Sequence, residues 1–163
     1  MRRHLSQFGS KVMRLAEDPQ FFDLLSTSYR RLVGGEPPFL LPGAPHTADW
    51  LYADSPVCVL AHNTGPDPLF IYANKAAQKV FEYDWAEIVT LPSRLSAEAP
   101  ARGERQRLLE QVARDGFACG YSGVRIAKSG RRFRITDGVL WQLRGQDEPL
   151  RGVAATFARW RQM

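Results

Sequence analysis

The stretch Leu69–Tyr83, read as Leu-Phe-Ile-Tyr-Ala-Asn-Lys-Ala-Ala-Gln-Lys-Val-Phe-Glu-Tyr, changes its period in the middle. Leu69 to Tyr72 is a short apolar and aromatic run that suits a buried strand. Asn74 can then cap a helix, because its side-chain oxygen accepts from the first free backbone N–H groups. From there Ala76, Ala77, Val80 and Phe81 recur at helical spacing. A strand that passes through one Asn into a short helix must bury both apolar faces in the same core.

The rest of the chain falls into order around that unit. Residues 1–17 carry scattered apolar side chains without a pattern and are expected as a variable extension. Asp18 is a helix cap with Pro19 at the first helical position. Phe22, Leu25, Tyr29 and Leu32 follow one face, with Phe21, Leu24 and Ser28 beside them. Gly34 and Gly35 end that helix. Residues 36–47 are rich in Pro and Gly and read as a loop. A domain division follows: extension 1–17, helix and loop 18–47, core 48–163.

Within the core, Ala48–Asp54 reads as a helical turn and Pro56–His62 as the first strand. The breakers Asn63 to Pro68 make a turn, so Leu69–Ala73 pairs back as an antiparallel hairpin. Trp85–Val89 reads as a second short helix and Leu91–Pro100 as a loop or a single turn. Arg102–Asp115 is the clearest helix, with the stripe Leu108, Leu109 and Val112, and Gly116 stops it. Tyr121–Lys128 and Arg132–Leu143 are strands joined at Ser129-Gly130. Strict alternation puts Phe133, Ile135, Val139, Trp141 and Leu143 on one face and Arg132, Arg134 and Thr136 on the other. Leu150–Trp160 is the last strand. Hairpins flanking a helical middle argue for an α+β fold with an antiparallel sheet.

The length of 163 residues suits one domain with one substantial core. No run approaches the roughly 20 apolar residues of a bilayer span. The basic start Met-Arg-Arg-His-Leu is not followed by an apolar leader core. The expectation is a cytoplasmic protein without a membrane role. The formal net charge of +5 is uneven: six basic and three acidic residues up to Gly35, three and eight from Glu36 to Pro100, thirteen and six from Ala101 onward. A basic last third can face nucleic acid. No recognised nucleic-acid motif accompanies it, so a solvated surface is the leading reading.

Chemistry-bearing constellations are scarce. Ser122, His62 and Asp137 sit in no nucleophile elbow. Gly116, Gly120 and Gly123 form no phosphate loop. Cys58 and Cys119 form no C-x-x-C pair, and both are expected as buried free thiols. His46 is alone in its loop, and no zinc spacing is present.

The central stretch also resembles the second strand and first helix of a PAS domain, where the strand ends in a "YAN-A" turn. The blocks "LAHNTGPDPLFIYANKAAQKVFEYDW", "LPSRLSAEAP", "RDGF", "YSGVRI-K-GRRFRI" and "AATFARW" resemble the MEKHLA family, a PAS-related group. Its members occur as stand-alone bacterial proteins, as this chain is expected to be, and at the C-terminus of plant homeodomain–leucine zipper regulators. The resemblance runs from about Asp18 to Trp160. It implies a PAS-like fold, with a five-stranded sheet in the order 2-1-5-4-3, helices on one face and an N-terminal flanking helix. Flavin-binding light sensors of this fold carry an Asn-Cys-Arg motif where this chain reads Ser93-Arg94-Leu95-Ser96. Haem sensors use a His near the long helix, and Arg102–Gly116 has none. Neither haem, flavin nor zinc is expected.

What the resemblance leaves is either an apolar cavity between the long helix and the sheet or a filled core with no cavity. The ligand-binding candidates are Tyr72, Asn74, Phe81, Arg94, Phe117, Tyr121 and Trp141. Arg94 is either an anion clamp or is fixed by an ion pair with Glu98 or Asp84. The stripe Phe21, Phe22, Leu25 and Tyr29 is expected to cover the open sheet face and form a homodimer contact, the alternative being that the helix packs only on its own subunit. The expected function is a non-catalytic sensory or interaction module that binds a small ligand or protein partner and signals through an oligomeric contact. The alternative is an accessory transcriptional regulator touching nucleic acid through the basic last third.

Overall fold

A computed structural model describes residues 15–163, and at 99–101 the backbone alone. Of the expected extension 1–17, residues 1–14 lie outside the described residues. Helix α1 is Pro19–Leu32 and α2 is Ala48–Ala53. Asp18 caps α1 by accepting from the Gln20 N–H at 2.9 Å, and Thr47 caps α2 by accepting from Trp50 at 3.2 Å. Strands β1 (Cys58–His62) and β2 (Phe70–Ala73) form the expected hairpin, and α3 (Lys75–Phe81) and α4 (Trp85–Ile88) follow. The expected loop contains a 3-10 turn, Ser93–Ser96. It docks on β2, where the Ser93 N–H donates to Pro68 and the Phe70 N–H to Leu91, at 2.8 and 2.9 Å. Helix α5, Ala99–Asp115, starts three residues before the expected Arg102, and Gly116 closes it at φ +89°. Strands β3 (Phe117–Ile126), β4 (Arg132–Leu143), β5 (Gly152–Phe157) and β6 (Arg159–Gln162) complete the sheet.

The sheet is antiparallel, in the order β2-β1-β5-β4-β3. β6 is the continuation of β5 beyond a break at Ala158: the pairs Val139–Thr156 and Thr136–Arg159 keep one register along β4. The last expected strand is therefore one ladder in two pieces, and it reaches Gln162.

The two faces of the sheet carry different layers. Leu60, Ala155 and Leu140 are cross-strand neighbours on one face. That face is covered by α3, the 3-10 turn and α5. Val112 of α5 packs there with Ala118 and Leu140. Ala61, Ala154, Tyr72 and Trp141 share the opposite face, which α1 and Phe39 cover. The Tyr29 and Trp141 rings meet edge to face at 5.1 Å, and Phe39 stacks on Trp141 at 6.0 Å. The Trp141 indole N–H donates to Ser28 Oγ at 3.0 Å, which fixes the register of α1 on the sheet.

Strict alternation along β4 fails in one place. Ile135 lines the same face as Leu140, and Phe133 packs on Phe81 of α3 at 5.0 Å, whereas Trp141 points to α1. The faces exchange between Ile135 and Val139, at Asp137, which adopts a left-handed φ of +54°. One left-handed residue rotates the pleat and reverses the parity beyond it.

Candidate functional site

The face between the sheet and α5 is not filled. A cavity of about 70 Å³ remains. Its apolar lining includes Leu60, Phe70, Phe81, Leu108, Leu109 and Leu140. Its polar lining is His62, Ser93, Ser96, Arg105, Tyr121, Arg125 and Thr156. A space of that size admits a few waters or a small organic molecule. It is far below the roughly 300–1,000 Å³ of pockets that hold drug-sized ligands.

Each polar group is delivered by a different local device. His62 ends β1, at a register shift against β2. Its Nδ1 lies 2.8 Å from the Asn63 carbonyl, which can only accept, so Nδ1 carries the hydrogen and Nε2 the lone pair. Burial pushes the imidazole pKa down, the Asn63 carbonyl works against that, and Arg105 adds to the lowering. Ser93 and Ser96 come from the 3-10 turn docked on β2. Arg105 lies one turn before Leu108 and Leu109 on α5, and its Nη2 donates to Ser93 Oγ.

Tyr121 occupies a slot made by absent side chains. A Cβ on Gly138, its cross-strand partner, would stand 2.7 Å from the ring, and a Cβ on Gly123 would stand 2.7 Å from the hydroxyl. Arg125 lies two residues beyond Gly123 on the same face. It is 8% exposed, its Nη1 donates to the Val124 carbonyl at 2.8 Å, and its guanidinium lies 5.1 Å from the Tyr121 ring centre.

Among the described residues, two buried polar atoms of this cavity have no hydrogen-bond partner: His62 Nε2 and the Tyr121 hydroxyl. A third such atom, Trp85 Nε1, belongs to the aromatic group of Tyr52 and Tyr72 outside the cavity. Burial lowers the pKa of both Arg105 and Arg125, and each guanidinium stays charged at neutral pH. Neither forms an ion pair among the described residues.

The seven sequence candidates divide. Phe81 and Tyr121 line the cavity. Tyr72 and Trp141 are buried on the opposite face, under α1: Trp141 lies one residue beyond the cavity-lining Leu140, and the register shift between β1 and β2 turns Tyr72 away from the face of Phe70, two residues earlier. Phe117, half-buried, pairs with Trp141 and packs toward that same side. Asn74 is fully buried and its side chain is spent inside the chain. Oδ1 accepts from Val59 and Ala77 at 3.0 and 3.2 Å, and Nδ2 donates to Leu51 and Val57 at 3.1 and 2.8 Å. Arg94 is exposed and pairs with Asp67 at 3.0 Å, not with Glu98 or Asp84. Those two carboxylates are engaged elsewhere: Glu98 holds Arg132, and Asp84 caps α4.

The stripe expected to meet a second copy meets the chain's own sheet. Phe21, Phe22, Leu25 and Tyr29 are 2%, 9%, 0% and 7% exposed, all within one chain. Cys58 is buried, and desolvation pushes its thiol up to about 12. Cys119, expected to be buried, is exposed because it sits at the bulge of β3 beside Gly120, φ +68°.

Sequence reasoning missed His62, Ser93, Ser96, Arg105 and Arg125 as a group. Arg105 had a readable signal, since it falls on the apolar stripe of α5. Arg125 had none locally, because Val124 and Ile126 beside it look like the inward residues. Among the described residues no cluster of three His, Cys, Asp or Glu side chains could hold a metal ion. No helix among them is long and apolar enough to cross a membrane.

The sequence model described as the MEKHLA domain matches residues 19–162 of this chain. No curated protein matches it. Among solved structures, the PAS domain of a Colwellia psychrerythraea protein is similar at a TM-score of 0.55 and 13% identity, over 69% of this chain and 90% of that one. The LOV domain of the Erythrobacter litoralis EL346 blue-light activated histidine kinase is similar at 0.53 and 20%, over 66% and 96%. A Rhodobacter sphaeroides LOV protein is similar at 0.55 and 11%, over 69% and 62%. At these identities the likeness is one of fold.

Proposed function

The chain belongs to the MEKHLA domain family, and from that premise we propose that it is a non-catalytic sensory module that binds a small molecule between α5 and the sheet. The observation that carries this reading is the cavity in which His62 Nε2 and the Tyr121 hydroxyl stand buried and unpartnered among the described residues. Buried polar atoms are normally satisfied, and an unmet pair aimed into free space marks a place for a ligand. The PAS and LOV neighbours support a sensory role of that general kind. A bound molecule would press on α5 and β3 together, and the output would leave through a partner chain.

A flavin of the LOV type does not fit this site. About 70 Å³ is too little for a three-ring system, and neither cysteine lines the cavity.

Native mass spectrometry of freshly purified full-length chain tests the reading. The expected result is a small non-covalent adduct, taken up from the cell or from a metabolite mixture, that Leu109→Trp excludes by filling the space. A chain that takes up nothing before or after such incubation, or an adduct that Leu109→Trp leaves untouched, overturns it.

A second reading, contact with nucleic acid, has one observation in its favour. Arg134 and Arg161 face each other across β4 and β6, where like charges repel, and neither has a carboxylate partner among the described residues. A labelled duplex should then bind with a steep salt dependence that Arg134→Gln and Arg161→Gln reduce.

A further inference from the structure

We propose that the cavity is a receptor for a small organic carboxylate, held by Arg105 and Arg125 with its hydrocarbon body against Leu60, Leu108 and Leu140. This rests on the small-molecule reading above and names the ligand's chemical class.

Strand β3 inverts the usual pattern of a half-buried strand. On β3 the charged Arg125 is buried, while its apolar neighbours Val124 and Ile126 are only half-buried. Hydropathy alone would turn the strand over and put the two aliphatic residues inside. A charge kept inside at that cost, without a paired carboxylate, is a feature that stability alone does not favour.

This charge is not alone. Arg105 reaches the same cavity from α5, on the opposite wall. Burial disfavours the charged form of each guanidinium, and Arg125 further disfavours the charge on Arg105. The nearest acids lie outside the lining. Asp67 is committed to Arg94 at 3.0 Å, and Glu104 is exposed on α5. The hydrogen bonds in hand are to neutral oxygens: the Val124 carbonyl and Ser93 Oγ. Two like charges facing one apolar space are stabilised by an anion between them, and the guanidinium fork matches a carboxylate.

One further donor faces the same space. The Tyr121 hydroxyl is buried without a partner among the described residues, held over Gly123 and Gly138, and it can donate to the same carboxylate. The remainder of the lining is largely apolar, which suits one anionic group on a short hydrocarbon body rather than a polyanion.

Isothermal titration calorimetry on the full chain tests this, with straight-chain carboxylates from acetate to octanoate as probes and their neutral primary amides as controls. At least one carboxylate is expected to bind ten-fold or more tightly than its amide. Arg105→Met and Arg125→Met are each expected to lose ten-fold or more in carboxylate affinity and to keep the amide affinity. Arg125→Met is also expected to melt no lower than the parent chain, because it removes a buried charge that has no ion-pair partner among the described residues. Equal binding of carboxylates and amides overturns the carboxylate assignment and leaves a neutral-ligand cavity standing. Binding of neither series overturns the cavity reading as well. Carboxylate affinity that survives both substitutions, or an Arg125→Met chain that fails to fold, shows that the guanidiniums are structural and overturns the assignment.

Discussion

Asn74 and His62 show how far a residue type reveals its task. Asn74 was legible as a helix cap, and it is one, accepting from Ala77 at 3.2 Å. Its three other bonds, to Val59, Leu51 and Val57, tie α2 and β1 to the same side chain. Those partners are distant in sequence, so no local pattern announces them. His62 is the reverse case: a histidine ending a strand carries no signal of its own, and only the fold sets it in a cavity with Arg105, Arg125 and Tyr121. Its burial predicts a pH effect. The pKa of the folded chain's imidazole lies below the ordinary value, so below about pH 6.5 the unfolded chain binds a proton that the folded chain refuses. Stability is therefore full above that pH and falls as pH drops from 6.5 toward the lowered value. The carboxylates Glu82, Glu87 and Glu98, held low chiefly by hydrogen bonds to Ser129, Lys128 and Arg132, lose their contributions only below about pH 4.5. Urea midpoints at pH 7.5 and 5.5 should differ in the parent chain and nearly coincide in His62→Gln. An equal drop in the variant would assign the loss to other groups.

At the scale of elements, periodicity carried the order of helices and strands, the caps at Asp18 and Asn74 and the stop at Gly116. It failed inside β4, because a period of two assumes an unbroken pleat. The dipeptide Asp137-Gly138 in mid-strand was the available sign of a break, and the parity of Trp141 depends on it. The same place anchors Tyr121, whose ring needs the missing side chain of Gly138. Gly138→Ala is expected to cost about 1–3 kcal/mol by overpacking, read as a lowered urea midpoint. The clash is with the ring at 2.7 Å, so the cost should shrink in a Tyr121→Ala background, where the cavity side of the slot is empty. Identical losses in both backgrounds would mean that Gly138 serves the backbone and not the ring.

At the scale of the whole molecule, the open sheet face was legible as a problem before its solution was. The apolar stripe on α1 is too large to stay in water, since each large side chain buried is worth roughly 1.5–3 kcal/mol. The chain closes that face with its own helix. Leu25 is fully buried there, and Ser28 accepts from Trp141 at the centre of the sheet. A second copy could reach these side chains only if α1 exchanged between chains. This separates two outcomes for Leu25→Asp. If α1 seals its own sheet, the substitution leaves an uncompensated charge in the core, at a cost of roughly 3–5 kcal/mol. A domain of this size holds about 5–15 kcal/mol in total, so much of the stability goes and the urea midpoint falls steeply. If the stripe instead joined two folded subunits, Leu25→Asp would yield a chain with an intact circular dichroism spectrum, a near-parental urea midpoint and half the parental mass by light scattering. The buried placement of Phe21, Phe22, Leu25 and Tyr29 predicts the first outcome, and a folded half-mass variant would refute it.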